Sequence, residues 1–577
     1  MKKTGAWLVR YALEQIGVKY TFGIPGVHNT EIYVELNKSD LDQPILVTHE
    51  GGAAFMADAI SRTSSHTGTL LIVPAAGVTH AASGIGEAFL DGVPMLVICG
   101  GIRTDVDKSY QLHEMDQHAL LAPITKKTFK AETHAQIVPA IYEAYELAND
   151  GEPGPVFVEV PVNLQLFPGE VPEPLPFVAV TEITEPSQDA IDQAAQKLYA
   201  ADNPGLFLGW GAVDAHDEAI AIAEFLNAPV STTLQGLSAF PGNHPLHTGM
   251  SFGQASVPAA ENAFRKCDCM LAVATRFSEI GTASYGVQPP RELIHVDINN
   301  EVFNANYPAV VTIEGDAKAV LAELLRSLKA LGVPRSDDGA LKAAIKRDKA
   351  AYLEEWEKHD SKDRVNPGRF FTELRNLLDD DAIVVADDGN HTFLTAELMP
   401  IHSARGFISP TDFNCMGYCT PAVTAAKMAN PDKQVVGIIG DGAFLMTCME
   451  TLTASSLALG GVFFVFNDGE LSQISQAQEI PYNRKTCSVL KEVKYKGIAD
   501  ATGCEFICID SNADCQDGIR KALTLAGENR PVIVDVKIDY SKRTRFTKGI
   551  VKTNLERFTI GNKARFVGRA LLRKVTG

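Results

Sequence analysis

Short apolar runs alternate with stretches of helical periodicity along nearly the whole chain. Runs such as 68–73 (GTLLIV), 269–274 (CMLAVA) and 462–466 (VFFVF) have the length of buried β-strands and are too short to cross a membrane. The stretches between them have the spacing of helices that cover a sheet. This alternation is typical of α/β proteins with parallel sheets and crossover helices. We therefore predict doubly wound parallel-sheet domains.

Two changes in composition divide the chain. Residues 168–187 are rich in Pro and Glu and predict an extended linker, and residues 343–364 form a charged helical stretch that precedes an Asn-Pro-Gly turn. A chain of 577 residues is also too long for a single core. The predicted units are three α/β domains and a basic C-terminal tail, at 1–167, 188–335, 366–540 and 541–577.

The N-terminal segment and the cysteines bear on the cellular location. Residues 1–20 are superficially similar to a signal peptide, but they have helical spacing, include Glu14 and lack a small-residue cleavage site. We predict an amphipathic first helix and hence a cytoplasmic protein. The ten cysteines lack the paired spacing of a zinc site, so we expect reduced thiols.

Charge is distributed unevenly. The formal net charge is −19, which argues against general nucleic-acid binding. Residues 541–577 hold eleven Lys or Arg and one Glu, so the tail is strongly basic and the rest of the chain is strongly acidic.

The sequence GDG at 440–442 carries the first candidate chemistry. It follows the apolar run VVGIIG and precedes a helical stretch, so it lies at the carboxyl end of a predicted strand, where α/β proteins bind ligands. Gly440 and Gly442 allow backbone amides to approach an anion such as a phosphate. Asp441 would repel that phosphate unless a divalent cation lay between them, and Mg²⁺ suits this arrangement. The next strand ends in Asn467 and Asp468, which reach the same sheet edge.

This pair of motifs resembles the thiamine-diphosphate (ThDP) motif. Further similarity extends along nearly the whole chain, in 48–62 (THEGGAAFMADAISR), 412–429 (DFNCMGYCTPAVTAAKMA) and 276–281 (RFSEIG). The most similar subgroup is that of acetolactate-synthase-like enzymes. The resemblance implies pyrimidine-binding, central and diphosphate-binding domains. It also implies active sites between two subunits, in a homodimer or homotetramer.

The resemblance assigns a role to each cofactor-binding residue. Asp441, Asp468 and the carbonyl of Glu470 would hold Mg²⁺. Many relatives have Asn-Asn where this chain has Asn467-Asp468, so which of these two residues is the ligand stays open. The residues expected to contact the coenzyme are Gly389, Asn390 and His391 at the diphosphate, Met416 beneath its bent form, and Gly440, Gly442, Ala443 and Asn467 around the metal turn. Ordinary core packing is the alternative for Met416.

Glu50, in HEGGAAF, matches the glutamate that contacts the aminopyrimidine of the coenzyme. Its expected task is to protonate the ring nitrogen, so that the exocyclic amine becomes a base. A helix-capping surface Glu is the alternative. Histidine is suited to the later proton transfers near neutral pH, and His28 and His113 are the two candidates, each with a purely structural role as its alternative. His80, where relatives commonly have asparagine, is a weaker candidate.

Other positions differ from the acetolactate synthases. His113 lies where those enzymes usually have glutamine, and Ala477 lies where acetohydroxyacid synthases have a tryptophan that favours 2-ketobutyrate. Arg276 matches a family arginine in the central domain, but no further flavin-binding residue is identified. FAD is therefore one possibility, and a central domain without a nucleotide is the other.

The predicted activity is ThDP- and Mg²⁺-dependent decarboxylation of a 2-oxo acid, with pyruvate as the expected donor, followed by carboligation to a carbonyl acceptor. One alternative is a lyase or decarboxylase that acts on 2-hydroxyacyl-CoA, oxalyl-CoA or a larger 2-oxo acid. Another is a non-catalytic ThDP-fold protein. The basic tail would cover the active-site mouth, or dock on the acidic remainder of the chain, or lie on a membrane as an amphipathic helix. That helix would group Phe566, Val567, Ala570, Leu571 and Lys574, and docking is the preferred interpretation.

Overall fold

A computed structural model describes residues 1–179, 185–562, 565, 568 and 569, with only the backbone described at 480 and 481. These residues form three parallel sheets of six strands each, together with one small antiparallel pair. Helices separate most of the strands in sequence, although two strands of the second domain, Cys269–Val273 and Glu292–Asp297, follow one another without a helix. The predicted fold class is confirmed.

The first domain contains a parallel sheet and a short antiparallel pair. Its strands are β1 (Lys2–Thr4), β2 (Tyr20–Gly23), β3 (Gln43–Leu46), β4 (Gly68–Ile72), β5 (Met95–Gly101), β6 (Lys127–Lys130), β7 (Pro155–Pro161) and β8 (Pro168–Glu170). Its helices are α1 (Gly5–Gln15), α2 (Thr30–Leu36), α3 (Glu50–Thr63), α4 (Ala76–Asp91), α5 (Gln117–Leu121), α6 (His134–Asn149) and α7 (Val162–Leu166). The sheet order is β3-β2-β4-β5-β7-β6, and β1 pairs with β8. The predicted amphipathic first helix is α1, which buries Leu8, Val9 and Leu13.

The second domain contains a sheet of different strand order. Its strands are β9 (Pro204–Leu208), β10 (Val230–Thr232), β11 (His247–Met250), β12 (Cys269–Val273), β13 (Glu292–Asp297) and β14 (Val311–Glu314). Its helices are α8 (Gln188–Ala200), α9 (His216–Leu226), α10 (Pro258–Phe264) and α11 (Ala317–Leu331), and α12 (Ala340–Glu357) follows them. The order is β11-β10-β9-β12-β13-β14, the arrangement of a Rossmann sheet.

The third domain repeats the strand order of the first. Its strands are β15 (Ile383–Ala386), β16 (Phe407–Ile408), β17 (Val435–Gly440), β18 (Gly461–Phe466), β19 (Glu505–Ile509) and β20 (Val532–Val536). Its helices are α13 (Pro367–Leu377), α14 (Asn390–Leu398), α15 (Cys419–Ala429), α16 (Asp441–Thr447), α17 (Thr451–Ser456), α18 (Ser472–Tyr482), α19 (Tyr495–Thr502) and α20 (Cys515–Gly527), and α21 (Arg545–Arg557) begins the basic tail. The order β16-β15-β17-β18-β20-β19 places the ends of β15, β17 and β18 side by side.

The central strands are buried on both faces because helices cover both sides of each sheet. Every residue of β4, β5 and β18 is buried, which explains why these segments are continuous apolar runs. Short 3₁₀ turns occupy Ala122–Ile124, Trp210–Ala215, Gln235–Ser238, Asn300–Val302 and Cys448–Glu450. In the part of the chain that the structure describes, no helix combines the length and the apolar character that a bilayer crossing requires.

The first and third domains pack through α3 and α15, around a buried ion cluster. Arg62 on α3 pairs with Asp58 at 2.7 Å and with Asp91 at 2.9 Å. The hydroxyl of Tyr418, next to α15, donates to Asp58 at 2.5 Å. Arg62 also donates to the Ser409 carbonyl at 3.4 Å, so the cluster makes hydrogen bonds across the boundary between the two domains.

Candidate active site

The predicted residues of the first domain lie at one edge of its sheet. His28 follows β2, Glu50 begins α3 after β3, His80 lies in α4 after β4, and His113 follows β5. Since the carboxyl ends of parallel strands meet at one edge, residues up to 85 positions apart come together there.

Glu50 occupies the first position of α3 and is buried, with 8% of its surface exposed. The helix is capped by His49, whose Nδ1 accepts a hydrogen bond from the Gly51 amide at 3.0 Å. His80 contacts the Glu50 carboxylate, with 2.9 Å between Nδ1 and Oε2, and its ring stacks on that of His49. The least favoured histidine of the sequence analysis is therefore the one that touches Glu50.

His28 and His113 form a pair. Their Nδ1 atoms are 3.2 Å apart, so the Nδ1–H of one ring donates a hydrogen bond to the Nδ1 of the other. Only one of these two nitrogens therefore carries a proton. Burial, followed by repulsion from His113, lowers the pKa of His28. His113 has a left-handed backbone conformation with φ of 66°. The pair can hold and exchange one proton at a sheet edge.

Asp441 and Asp468 lie at the ends of the adjacent strands β17 and β18. The Asp441 carboxylate accepts hydrogen bonds from the amides of Gly442 at 2.7 Å and Gly469 at 2.8 Å, so it holds both turns together. Asp468 accepts a hydrogen bond from the Ser472 hydroxyl through Oδ2, whereas its Oδ1 is buried without a partner. Burial raises the pKa of Asp468 to about 6, and repulsion from Asp441 adds to the shift. Burial also raises the pKa of Asp441.

Asn467 points away from this carboxylate pair. Its side-chain amide donates to Asp535 on β20 at 2.8 Å, because successive side chains at a strand end face opposite sides. Glu470 is paired with Val489 in an isolated antiparallel β-bridge. The hydrogen bonds of this bridge use the Gly469 carbonyl and the Leu471 amide, so the Glu470 carbonyl takes no part in the bridge. Its carboxylate binds Lys485 and Ser475 instead.

A cleft of about 570 Å³ opens beside Asp441, whereas Asn467 and Asp468 are not among the residues that line it. It is lined by most of the predicted cofactor-binding residues, namely Gly389, Asn390, His391, Met416, Gly440, Asp441, Gly442, Ala443 and Glu470. His391 supports the turn, since its Nε2 accepts a hydrogen bond from the Gly440 amide at 3.3 Å. Burial lowers the pKa of His391 to about 3, so its ring is neutral at physiological pH. A Cβ at Gly389 or Gly440 would lie 2.7 or 2.9 Å from that ring, so glycine is needed for this packing.

Three models of thiamine pyrophosphate enzyme domains match this chain: the N-terminal TPP-binding domain at 3–120, the central domain at 191–324 and the C-terminal TPP-binding domain at 387–536. The chain belongs to the thiamine pyrophosphate enzyme family. A probable acetolactate synthase large subunit of Methanocaldococcus jannaschii is 30% identical over 562 residues, which are 93% of this chain and 92% of the relative.

Two further relatives have similar names. The acetolactate synthase large subunit of Corynebacterium glutamicum is 29% identical over 92% of this chain and 86% of its own length. The isozyme 1 large subunit of Escherichia coli is 28% identical over 94% of this chain and 95% of its own length. The protein is thus a ThDP-dependent enzyme similar to acetolactate synthases, and the non-catalytic alternative is set aside.

The cleft residues fit the family's coenzyme and a divalent cation. Asp468 has a buried carboxylate oxygen without a partner, and burial disfavours its negative charge. A hard cation such as Mg²⁺ would bind this oxygen and compensate the charge. The glycines at 440 and 442 allow the turn to pack closely against His391 and Leu471. Asp468 has a buried oxygen without a partner, whereas the side-chain NH₂ group of Asn467 donates to Asp535.

A second cleft, of about 670 Å³, lies at the carboxyl edge of the central sheet, and FAD does not fit it well. Arg276 lines this cleft but already pairs with Glu152 at 3.4 Å and Asp412 at 2.9 Å. Asp91 and Asp297 also line it. The lining thus contains four carboxylates and one arginine, which is already paired with two of them. These negative charges would repel the diphosphate of a dinucleotide.

Glu450, which was not among the residues predicted from the sequence, contacts the turn before Glu50. Its Oε1 accepts hydrogen bonds from the Thr48 amide at 3.1 Å, the Thr48 hydroxyl at 2.6 Å and the His49 amide at 3.0 Å. A carboxylate of the third domain thus holds the turn that presents Glu50. The only feature of the sequence that could have indicated this contact is the position of Glu450 nine residues after Asp441. The surrounding stretch has the pattern of an ordinary helix.

The described part of the basic tail docks on the central domain. The guanidinium of Arg545 donates to the Ser256 carbonyl at 2.9 Å and pairs with Glu261, and Lys552 donates to Gln254 at 2.5 Å. Docking on the acidic remainder is therefore seen for α21. Phe566, Val567, Ala570, Leu571 and Lys574, the residues of the membrane alternative, lie outside the described residues.

Proposed function

We propose that this enzyme decarboxylates pyruvate, or a similar small 2-oxo acid, and transfers the acyl unit to a carbonyl acceptor, with ThDP and Mg²⁺ bound at the 441/468 cleft. The observation that carries the proposal is the buried, unpartnered Oδ1 of Asp468 beside Asp441, in a chain of this family. The relatives named acetolactate synthase support the reaction type.

In this proposal Asp441, Asp468 and the Glu470 carbonyl hold the cation, and the glycine turn receives the diphosphate. The coenzyme, when bound, supplies the electron sink for decarboxylation. Glu50 holds a proton at the ring nitrogen of the pyrimidine, and His80 positions its carboxylate. The His28–His113 pair moves one proton at the substrate edge, which its shared Nδ1 contact supports.

We further propose that two subunits form each site, in a homodimer or homotetramer. Among the described residues, those lining the 570 Å³ cleft all belong to the third domain, and Glu50 is not one of them. A neighbouring chain would supply the missing glutamate. A cytoplasmic location is also proposed, supported by the packing of α1 into the first domain.

The alternative is a lyase or decarboxylase acting on an acyl-CoA or a larger 2-oxo acid. It is favoured by Ala477 in α18, at the position of the acetohydroxyacid-synthase tryptophan, and by the histidine pair, which includes His113 at the position of a glutamine.

Product analysis separates the two functions. The purified protein, supplied with ThDP and Mg²⁺, is incubated with pyruvate alone, and the products are followed by proton NMR. Acetolactate and CO₂ are expected, and their formation should be lost in Glu50→Gln. Turnover confined to thioesters or to larger 2-oxo acids would overturn the first function and support the second.

A further inference from the structure

A third cavity, of about 770 Å³, lies away from both clefts described above. It is enclosed by β11 and α10 of the central domain, by α12, and by the last turn of α14. Much of its lining is apolar, including Leu237, Val257, Leu353, Leu398 and Ile401. Two basic side chains, Lys349 and His247, also face it.

Lys349 is a half-buried cation that forms no salt bridge in the described part of the chain. Its Nζ donates to the Gly242 carbonyl at 3.2 Å and to Nδ1 of His247 at 3.0 Å, which leaves one of three N–H groups unused. Within the described ranges of the chain, no carboxylate oxygen forms a salt bridge with it. Burial lowers the pKa of Lys349 to about 8, so the amine is still mainly charged at neutral pH.

His247 presents a second unused donor. Because its Nδ1 accepts from Lys349, the neutral ring carries its proton on Nε2. That Nε2 is buried without a partner, and the residue is 7% exposed. Burial lowers the pKa of His247 well below its usual range, and the Lys349 charge acts in the same direction, so the ring stays neutral.

The carboxylates of the cavity wall are already occupied. Asp348 accepts from Arg347 at 2.8 Å and from Asn262 at 2.7 Å. Glu397 accepts from the Tyr352 hydroxyl at 2.5 Å and from the Phe546 amide at 2.8 Å. What the cavity lacks is an acceptor for Lys349 and His247.

We propose that this cavity binds a small organic carboxylate with an apolar body. The carboxylate would accept from the Lys349 ammonium and the His247 Nε2–H, and its hydrocarbon part would contact the apolar wall. The site is independent of the proposed reaction, because none of its residues lines the 441/468 cleft.

Calorimetric titration of the full-length protein tests the site, with 3-methylbutanoate as the probe and 3-methylbutanamide as its neutral counterpart. The probe has no 2-oxo group, so binding does not depend on turnover. Saturable binding of the carboxylate is expected, with the amide bound at least about tenfold more weakly, because it offers no charge to the ammonium.

The variants are Lys349→Met and, as a matched control, Lys346→Met, which changes an exposed lysine of the same helix. Lys349→Met should weaken binding of the carboxylate about tenfold or more, and Lys346→Met should leave it unchanged. His247→Phe removes the Nε2 donor and also the Nδ1 acceptor of Lys349 but keeps the lysine itself. It should weaken binding severalfold, which keeps the test decisive if one variant folds poorly. Equal affinity of Lys349→Met, equal affinity for the amide, or no saturable binding by the wild-type protein would overturn the proposal.

Discussion

At the scale of single residues, burial controls the chemistry of the carboxylates at the sheet edges. A carboxylate removed from water either finds donors or rises in pKa. Asp441 is largely satisfied by the amides of Gly442 and Gly469, whereas Asp468 keeps one oxygen free. The proposed cation would bind this free oxygen and would offset the burial and the repulsion that together raise the pKa of Asp468.

Replacement of Asp468 should separate metal binding from stability. Asp468→Ala is expected to abolish Mg²⁺-dependent binding of ThDP, and Asp468→Asn, which keeps an oxygen ligand, should weaken it roughly tenfold or more because a negative charge is lost. Without Mg²⁺, Asp468→Asn should not lower the unfolding temperature, since it removes a charge that burial disfavours.

Isothermal titration with ThDP at several Mg²⁺ concentrations measures this effect. Asp432→Ala, at an exposed position of the same domain, is the control and should behave as the wild type. The assignment is wrong if Asp468→Ala binds ThDP with an unchanged dependence on Mg²⁺.

Asp42 predicts a pH dependence of stability. It is 2% exposed, it accepts a hydrogen bond from the Thr21 hydroxyl at 2.7 Å, and burial raises its pKa from 3.8 to about 7. The folded state binds the Asp42 proton more tightly than the unfolded state does, and this difference contributes to the free energy of unfolding. The contribution is complete below about pH 4 and is lost as the pH rises through 7. Asp42→Asn keeps an acceptor for Thr21 and stays neutral. Its free energy of unfolding should therefore match that of the wild type near pH 4 and exceed it at pH 8 by on the order of 1–4 kcal/mol.

Urea unfolding between pH 4 and pH 8 checks the prediction, with Asp40→Asn at an exposed neighbouring position as the control. A constant difference between Asp42→Asn and the wild type across this range would show that Asp42 does not titrate as described.

At the scale of elements, close backbone contacts position the histidine pair. Gly100 lies in β5, and a Cβ at this position would be 1.8 Å from the carbonyl oxygen of His28. That carbonyl also accepts from the side chain of Gln165 at 2.8 Å. The strand and the loop after β2 are therefore in direct backbone contact, which fixes where His28 meets His113.

Gly100→Ala should displace the loop that carries His28. We expect a loss of stability of about 1–3 kcal/mol or more, since a buried methyl group has no space without backbone movement. Gly497→Ala is the contrasting change: this exposed glycine of α19 has no heavy atom within 4 Å of a new Cβ, so alanine should stabilise the helix by about 0.5–1 kcal/mol. Unfolding midpoints of both variants measure the effects, and a Gly100→Ala protein as stable as the wild type would contradict the contact.

At the scale of the whole molecule, one chain contains both parts of the proposed site, Glu50 in the first domain and the 441/468 cleft in the third. Glu50 does not line that cleft within the same chain. Glu450 connects the third domain to the turn before Glu50, and Asp58 and Arg62 form hydrogen bonds with Tyr418 and Ser409 of the third domain. The cleft at 441/468 nevertheless lacks any first-domain residue among those described. The proposed site thus requires a second copy of the chain.

Subunit mixing tests this requirement. Glu50→Gln and Asp441→Ala should each be inactive, but hybrid dimers of the two should contain one intact site, so a random mixture should regain about a quarter of the wild-type activity. A mixture of Glu50→Gln with Glu50→Ala is the control and should stay inactive. If hybrids form and no activity returns, the site lies within a single chain.

The sequence by itself determined the parallel sheets and the strand-end positions of Asp441 and Asp468, and the resemblance to the family pointed to Glu50, His28 and His113. Apolar periodicity encodes local backbone structure, and a polar residue directly after a buried strand must lie at the carboxyl edge of its sheet. Only the tertiary structure decided which of these residues meet. The 3.2 Å contact of His28 with His113, the hold of Glu450 on Thr48, and the lack of a counter-ion at Lys349 depend on strand order and domain packing. These contacts join residues far apart in the chain, so no local pattern specifies them.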